Sequence, residues 1–348
     1  MSTLILGIET SCDETSAAVV ADGEEICSNV IASQIDLHRK FGGVVPEVAS
    51  RRHLEALNPV IGEALEKAGI GFKDLHAVAV TCGPGLLGSL LVGLMTAKAL
   101  AYTLNIPLIG INHLEAHICA NLLVDPAPGF PVLCLVVSGG HTDLFLINGF
   151  GHYRLLGRTR DDAAGEAFDK VARVLGLGYP GGPAIQKTAA QGDPNAIEFP
   201  RAYLEEGTYD FSFSGLKTAV INYLERERQK GRKINEADVA AAFQQAVTGV
   251  LVDKIMAAAE TYQPAGIWLA GGVAANAALR KELQCRAAER DIPVTIPPPV
   301  LCTDNAAMVA CAGYYHYLKQ DFAPLTLNAV ANLPLGEGQE TGLTGCNQ

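Results

Sequence analysis

Short apolar runs recur along the chain and break off at turns built from small polar residues. Leu4-Ile5-Leu6-Gly7-Ile8 runs into Glu9-Thr10-Ser11-Cys12-Asp13-Glu14-Thr15-Ser16 and resumes at Ala17–Val20. Asp22-Gly23 then turns the chain into Ile26–Ile31, so three hairpin-connected strands are predicted. The design returns with Val132–Val137, the turn Ser138-Gly139-Gly140-His141-Thr142 and Leu144–Ile147, after which Asn148-Gly149 leads to Tyr153–Gly157. A later run, Ile267–Ala270, meets Gly271-Gly272 and a predicted helix from Ala277 to Arg290. Elsewhere the spacing is helical: Val48, Leu54, Leu57, Val60, Ile61 and Leu65 fall on one face between Pro46 and Gly69. Strands are predicted at Ala77–Thr81 and Ile106–Gly110. Long helices are predicted from the Gly83–Gly93 turn to about Leu104 and from Ala237 to Tyr262.

Strands alternating with helices make an α/β protein. The repeated three-strand unit and the late Gly-Gly turn predict the duplicated actin-like, sugar-kinase-like (ASKHA) ATPase fold, two lobes with a central nucleotide cleft. In that architecture phosphates sit on the two hairpin turns and adenosine near the late glycine turn. Pro126-Ala127-Pro128-Gly129 reads as the linker. It divides an N-terminal lobe, residues 1–126, from a C-terminal lobe, residues 127–334; the Gly-rich, polar residues 335–348 are expected to be disordered.

The turns carry the candidate chemistry. The first offers main-chain N–H groups, hydroxyls and the carboxylates of Asp13 and Glu14, which suits phosphate held directly or through a cation. Ser- and Thr-rich hairpins are also common without a ligand. The Gly83–Gly93 turn lacks the Gly-Lys-Ser/Thr of a P-loop. Its glycines serve either a ligand at the helix N-terminus or close helix packing. Asp161–Ala172 reads as a helix with acidic residues in its first turn, and Asp169 is either solvated or bonded to a ribose. Tyr179-Pro180-Gly181-Gly182-Pro183 is a tight loop where backbone can approach a ligand.

His113 and His117 follow the strand at Ile106–Gly110 and are four apart on a predicted helix, so both imidazoles face one side. Spacing alone makes a weak case for metal. The intervening order, His-Leu-Glu-Ala-His, is not the His-Glu-x-x-His of a zinc protease. Glu115 lies about 200° around the helix from each His, so the base such a protease needs points away. Asp304, in Cys302-Thr303-Asp304-Asn305-Ala306, is either an N-terminal helix cap or the carboxylate of a two-His-one-carboxylate site.

Composition narrows the class. Of 348 residues 49% are hydrophobic and 18% charged, an ordinary globular balance, and no apolar run reaches the roughly 18 residues of a membrane helix. Nine cysteines without a CxxC pair point to reduced thiols, hence a cytoplasmic protein. A net charge of −11 argues against gripping nucleic acid unaided. One basic cluster exists, Arg226, Arg228, Lys230, Arg232 and Lys233. A solvated helix end is its plainer reading, an RNA contact the other.

These stretches together resemble the tRNA N6-adenosine threonylcarbamoyltransferase family, once called O-sialoglycoprotein endopeptidases. The likeness runs from Gly7 to about Asn332. It is carried by GIETSCDET at Gly7, GGVVPEVASRRH at Gly42, GPGLLGSLLVG at Gly83, NHLEAH at Asn112 and VSGGHT at Val137. DDAAGEAFDK at Asp161, YPGGP at Tyr179, FSFSGLKT at Phe211, AGGVAAN at Ala270 and CTDNAAM at Cys302 complete it. The resemblance implies that His113, His117 and Asp304 hold one Fe2+ or Zn2+ ion. It implies that Val136, Val137, Ser138, Gly139, Gly140, Asp169, Gly182 and Asn276 bind the adenylate of threonylcarbamoyl-adenylate. The acyl group would pass to N6 of adenosine 37 in tRNAs reading codons that begin with A. Asp13 and Glu14 are the candidates to orient or deprotonate the amine. Implied partners are tRNA, a paralogous actin-like subunit and a small P-loop ATPase, with no membrane. Gln186 departs from the pattern, since many relatives carry Asp there. The rival readings are a small-molecule kinase of the same fold and a metalloprotease.

Overall fold

The computed structural model describes residues 2–202 and 207–336. The chain forms two units: Met1–Ala127 with Phe150–Tyr153 and Val300–Gln348, and Pro128–Gly149 with Arg154–Pro299.

In the first unit β1 (Leu4–Glu9), β2 (Glu14–Ala21) and β3 (Glu25–Ser33) form an antiparallel meander. Asp22 and Gly23 both take positive φ, 50° and 75°, in the tight turn that Glu24 N closes by donating to Ala21 O at 3.1 Å. After α1 (Ile35–Arg39) and α2 (Pro46–Ala68) come β4 (Ala77–Gly83), α3 (Leu87–Leu104), β5 (Leu108–Asn112) and the short α4 (His113–Cys119). Strand order is β3-β2-β1-β4-β5, with β4 and β5 joining β1 in parallel. All residues of β2 and β4 are buried, as continuous apolar runs require of central strands.

The second unit repeats the plan. It contains β6 (Val132–Val137), β7 (Thr142–Gly149), β8 (His152–Arg158), α5 (Ala164–Val174), α6 (Gly181–Ala189), α7 (Ser214–Gln229), α8 (Glu236–Tyr262), β9 (Gly266–Ala270), α9 (Ala277–Ala288) and β10 (Val294–Thr295). Its order, β10-β9-β6-β7-β8, is that of the first sheet read from the other edge, with β6 antiparallel to β7 and parallel to β9. The duplication inferred from the apolar runs is thus a duplication of topology.

Four expectations need correction. The C-terminal lobe was drawn to residue 334, but from Val300 the chain goes with the first unit, through α10 (Pro299–Cys302) and α11 (Ala306–Leu318). Glycines make room for α11: a Cβ at Gly7 would meet Ala306 O at 2.2 Å, and one at Gly313 would meet Ala79 Cβ at 2.5 Å. Leu335, placed in the tail, is buried, and residues 337–348 lie outside the described residues. The acidic pair Asp161 and Asp162 does not open α5, which starts at Ala164. Asp161 instead caps α7, its Oδ1 accepting from the N–H groups of Phe213 (2.8 Å) and Ser214 (3.2 Å). Finally, α3 is 18 residues long with a mean hydropathy of 1.4, so by length and composition it matches a membrane span; a third of it is buried. Ser89, Leu90, Gly93, Leu94, Ala97 and Ala101 are the buried side.

Candidate metal centre and adenylate-binding loops

Three segments of the first unit converge at one point. Asn112 ends β5 and caps α4, its side chain accepting from Leu114 N at 2.9 Å. That starts the helix so that His113 and His117 project side by side, ring centroids 4.6 Å apart. The third ligand comes from the segment before α11. Asn305 is the cap there, its Oδ1 accepting from Met308 N at 3.1 Å, and Ser16 Oγ accepts from Ala306 N at 2.9 Å. Asp304 is therefore not the cap. Its Oδ1 lies 3.6 Å from His113 Nε2 and 3.2 Å from His117 Nε2.

These residues fit a divalent ion. Two ligand atoms each about 2.1 Å from one ion stand about 3.0–3.4 Å apart at octahedral or tetrahedral angles; the two carboxylate–imidazole spacings, 3.2 and 3.6 Å, are close to this, and all three candidate atoms lie within 4.8 Å of one another. His117 is buried, and among the described residues neither ring nitrogen has a hydrogen-bond partner, although Nε2 lies 3.2 Å from Asp304 Oδ1. Such an orphaned buried nitrogen is costly unless something outside the described atoms takes its lone pair. Burial lowers the pKa of His117 and keeps it neutral, as a ligand must be. Burial also opposes charge on His113, but Asp304 and Glu9 outweigh it and raise its pKa to about 9. An ion held there would take the place of that proton.

Glu9 is the residue that sequence reasoning missed. It ends β1, is fully buried, and accepts from Ser11 N (2.6 Å), Thr81 Oγ1 (2.7 Å) and His113 Nδ1 (3.1 Å). A carboxylate only accepts, so Nδ1 carries the proton and Nε2 is turned to the ligand position. His53 is a second omission. Its Nε2 donates to Cys12 O (3.0 Å) while Nδ1 accepts from Thr15 Oγ1 (2.8 Å), so it pins both sides of the turn bearing Asp13 and Glu14. Burial and the charge of Asp304 raise the pKa of Asp13. Glu14, held by Ser33 Oγ at 2.8 Å, is pushed up to about 8, by burial first and then by Asp13 and Asp304.

Glu115 points away from this cluster. Its carboxylate accepts from Tyr153 OH (2.9 Å) and meets His316 Nε2 (3.1 Å), whose Nδ1 meets Asp321 (2.9 Å). The base of a zinc protease is absent from the metal side of α4. Two of the Gly83–Gly93 glycines serve close packing: a Cβ at Gly85 would meet Ser11 Cβ at 2.8 Å, and one at Gly93 would meet Thr10 Oγ1 at 2.4 Å. They let α3 pack against the first turn.

Comparison with known proteins decides the family. The model for TsaD, tRNA N6-adenosine threonylcarbamoyltransferase, matches residues 25–311. The chain belongs to this family. It is 60% identical over 333 residues to the enzyme so named in Moorella thermoacetica, covering 96% of this chain and 97% of that protein. It is 61% identical over 335 residues to the one in Symbiobacterium thermophilum, covering 96% and 98%. Among solved structures, T. kodakarensis HypF aligns with a TM-score of 0.62 at 15% identity, over 92% of this chain and 48% of that one. Component A of the (R)-2-hydroxyglutaryl-CoA dehydratase of Acidaminococcus fermentans aligns at 0.53 and 14% identity, over 91% and 99%. These distant likenesses bear on fold alone, the actin-like, sugar-kinase-like one.

The residues implied for adenylate binding by this threonylcarbamoyltransferase family all fall in the second unit. Val136 and Val137 are buried in β6, so only their main chain is offered, and Ser138 to Gly140 form the β6–β7 turn. Asp169 Oδ1 accepts from Gly181 N (2.7 Å), which locks α5 to the start of α6. A Cβ at Gly139, Gly140 or Gly182 would meet nothing within 4 Å, so these glycines border open space. Asn276 caps α9 by accepting from Ala278 and Leu279 N–H, and its Nδ2 donates to Gln244 Oε1 (2.8 Å). Gln186 accepts from Ala277 N at 2.7 Å, so the residue that departs from the family pattern joins α6 to the start of α9.

Proposed function

We propose that this protein transfers the threonylcarbamoyl group from threonylcarbamoyl-adenylate to N6 of adenosine 37 in tRNAs reading codons that begin with A, releasing AMP. The observation that carries the reading is the His113–His117–Asp304 cluster, ligand atoms within 4.8 Å of one another, in a chain that matches the transferase family over most of its length.

The difficulty of the reaction is the nucleophile, since an exocyclic adenine amine is weak. His113, His117 and Asp304 would hold one divalent ion, iron or zinc, which when bound would supply Lewis acidity toward the transferred carbonyl. The chain does the rest. Main-chain N–H groups of the Ser138–Gly140 turn and the opening of α6 receive the adenylate phosphate, and Asp169 and Asn276 hold the loops that carry its nucleoside. The amine nitrogen bonds to the carbamoyl carbon, the carbon–oxygen bond to phosphate breaks, and AMP leaves. The amine proton passes to a carboxylate on the first turn. Asp13 and Glu14 are the two candidates; burial and neighbouring carboxylates raise the pKa of both, Glu14 to about 8. A paralogous actin-like subunit, a small P-loop ATPase and a separate adenylate-forming enzyme complete the system, which works in the cytoplasm.

The test is nucleoside mass spectrometry of unmodified tRNA incubated with the protein, the adenylate donor and partner subunits. A modified adenosine that vanishes with His113→Ala supports the reading. No product, with partners shown active beside a control transferase, refutes it. Single-turnover rates of Asp13→Asn and Glu14→Gln with pre-formed donor assign the proton acceptor; near-full rates in both remove these carboxylates from the mechanism.

A further inference from the structure

We infer that the exposed cations at the end of α7 form a surface on which the phosphate backbone of tRNA lies. The inference rests on the transferase reading, which names an RNA substrate without giving it a surface.

Charge is divided unevenly between the units. The first holds 8 Lys and Arg against 18 Asp and Glu, a net of −10, and the second 18 against 19, a net of −1. A polyanion is repelled by the first unit and meets a nearly neutral second one. Within that second unit Arg226, Arg228, Lys230, Arg232 and Lys233 fall in eight consecutive residues, interrupted by one acid, Glu227. All five cations are exposed.

The local fold gathers them. α7 ends at Gln229, Gly231 takes φ +65°, and Arg232 N donates to Glu227 O at 3.0 Å, so the chain turns back beside the last helical turn. Glu227 is buried beneath the cluster. Its carboxylate lies 3.5 Å from Arg226 Nε, 3.3 Å from Lys230 Nζ and 3.4 Å from Arg232 Nη1. One carboxylate thus spaces three cations while cancelling a single charge, leaving the segment at +4. Arg228 and Lys233 have no ion pair among the described residues. The Arg226 guanidinium also stands over the Tyr223 ring, 5.7 Å from its centroid, which holds it outward of the helix. A surface of fixed, closely spaced cations on the less acidic unit matches a ribose-phosphate backbone.

The experiment measures tRNA binding by the full chain, in the complete reaction mixture lacking only the donor, from about 50 to 300 mM salt. Arg228→Ala/Lys233→Ala should lower the slope of log K against log salt by about 2 and weaken binding on the order of 10- to 100-fold near 0.1 M. Glu227→Gln frees three cations and should act oppositely, with tighter and more salt-sensitive binding. A control of equal charge, Lys73→Ala/Lys281→Ala, should change affinity by no more than about twofold. If the control weakens binding as much as the patch variant, or Glu227→Gln weakens it, the surface is elsewhere. A wild type that modifies tRNA while both patch variants keep its slope overturns the patch alone. One that neither binds nor modifies tRNA overturns the transferase reading with it.

Discussion

Glu9→Gln replaces one buried oxygen with an NH2 group and leaves volume unchanged, yet it should disable the metal centre. Three donors converge on the Glu9 carboxylate, from Ser11 N, Thr81 Oγ1 and His113 Nδ1. An amide has one oxygen. If that oxygen stays on the Ser11 N–H, at 2.6 Å, the NH2 group faces Thr81 and His113. The Thr81 hydroxyl can rotate and accept. His113 can accept only by moving its proton from Nδ1 to Nε2, the atom that faces Asp304 and His117. The opposite amide orientation sets two N–H groups against each other in a dry site, at about 1–3 kcal/mol. The first orientation spoils the ligand; the second keeps His113 Nδ1–H bonded at that cost in stability, and both remove the negative charge beside His113. Loss of an orienting partner typically costs 10–100-fold in metal affinity, about 1.4–2.7 kcal/mol, and the loss of a nearby negative charge acts in the same direction. The upper end, about 100-fold, is expected. The measurement is titration of stripped protein with Co2+ or Zn2+ against a chromophoric chelator, with the Co2+ absorption bands reporting ligand geometry and thermal melting of the stripped protein reporting the fold. A variant that folds and binds metal within about threefold of wild type would defeat the argument.

Removing a ligand outright, with His117→Ala or Asp304→Ala, should abolish tRNA modification and stoichiometric metal, read by elemental analysis, while His117→Ala keeps or raises the melting temperature because it removes an orphaned buried ring. His316 gives a pH signature: burial opposes its charge, but Glu115 and Asp321 raise its pKa to about 10. The stabilisation from that raised pKa is complete below about pH 6.5 and is lost as pH rises through 10, so wild type should lose on the order of 2–4 kcal/mol across that window and His316→Gln much less, by urea unfolding. Gly7→Ala drives a methyl into Ala306 O at 2.2 Å and should cost about 1–3 kcal/mol in the same assay. Because Asp304 is two residues from the displaced atom, metal affinity should fall with it, whereas a surface Gly62→Ala, with nothing near its Cβ, should leave both unchanged or better.

The fold was legible because its signal is local and repeated. An apolar run, a polar turn and a second run recur at Leu4 and at Val132, and the sheets built from them share one strand order. Spacing of four within α4 likewise put His113 and His117 on one face. What escaped depends on distance. Asp304 could be cap or ligand until Asn305 was seen to do the capping, and nothing in the local sequence ranks two adjacent polar residues for that task. Glu9 lies 104 positions from the histidine it orients, and a carboxylate at a strand end reads as the start of a turn. His53 stabilises carbonyl and hydroxyl groups of a turn 38 to 41 positions earlier. The return of α11 to the first sheet was hidden for the same reason, since the two glycines that admit it, Gly7 and Gly313, are far apart and individually unremarked. The errors share a cause. Helix acidity at Asp161 and Asp162 was assigned to the nearest helix, whereas Asp161 satisfies the first N–H groups of α7, some fifty residues on. Periodicity tells which face of an element is apolar; it does not tell which distant backbone group a short polar side chain will serve. The site is built from that second kind of contact. Its candidate ligands were proposed from helix spacing and family pattern, and the residues that fix proton, turn and orientation emerge only from coordinates.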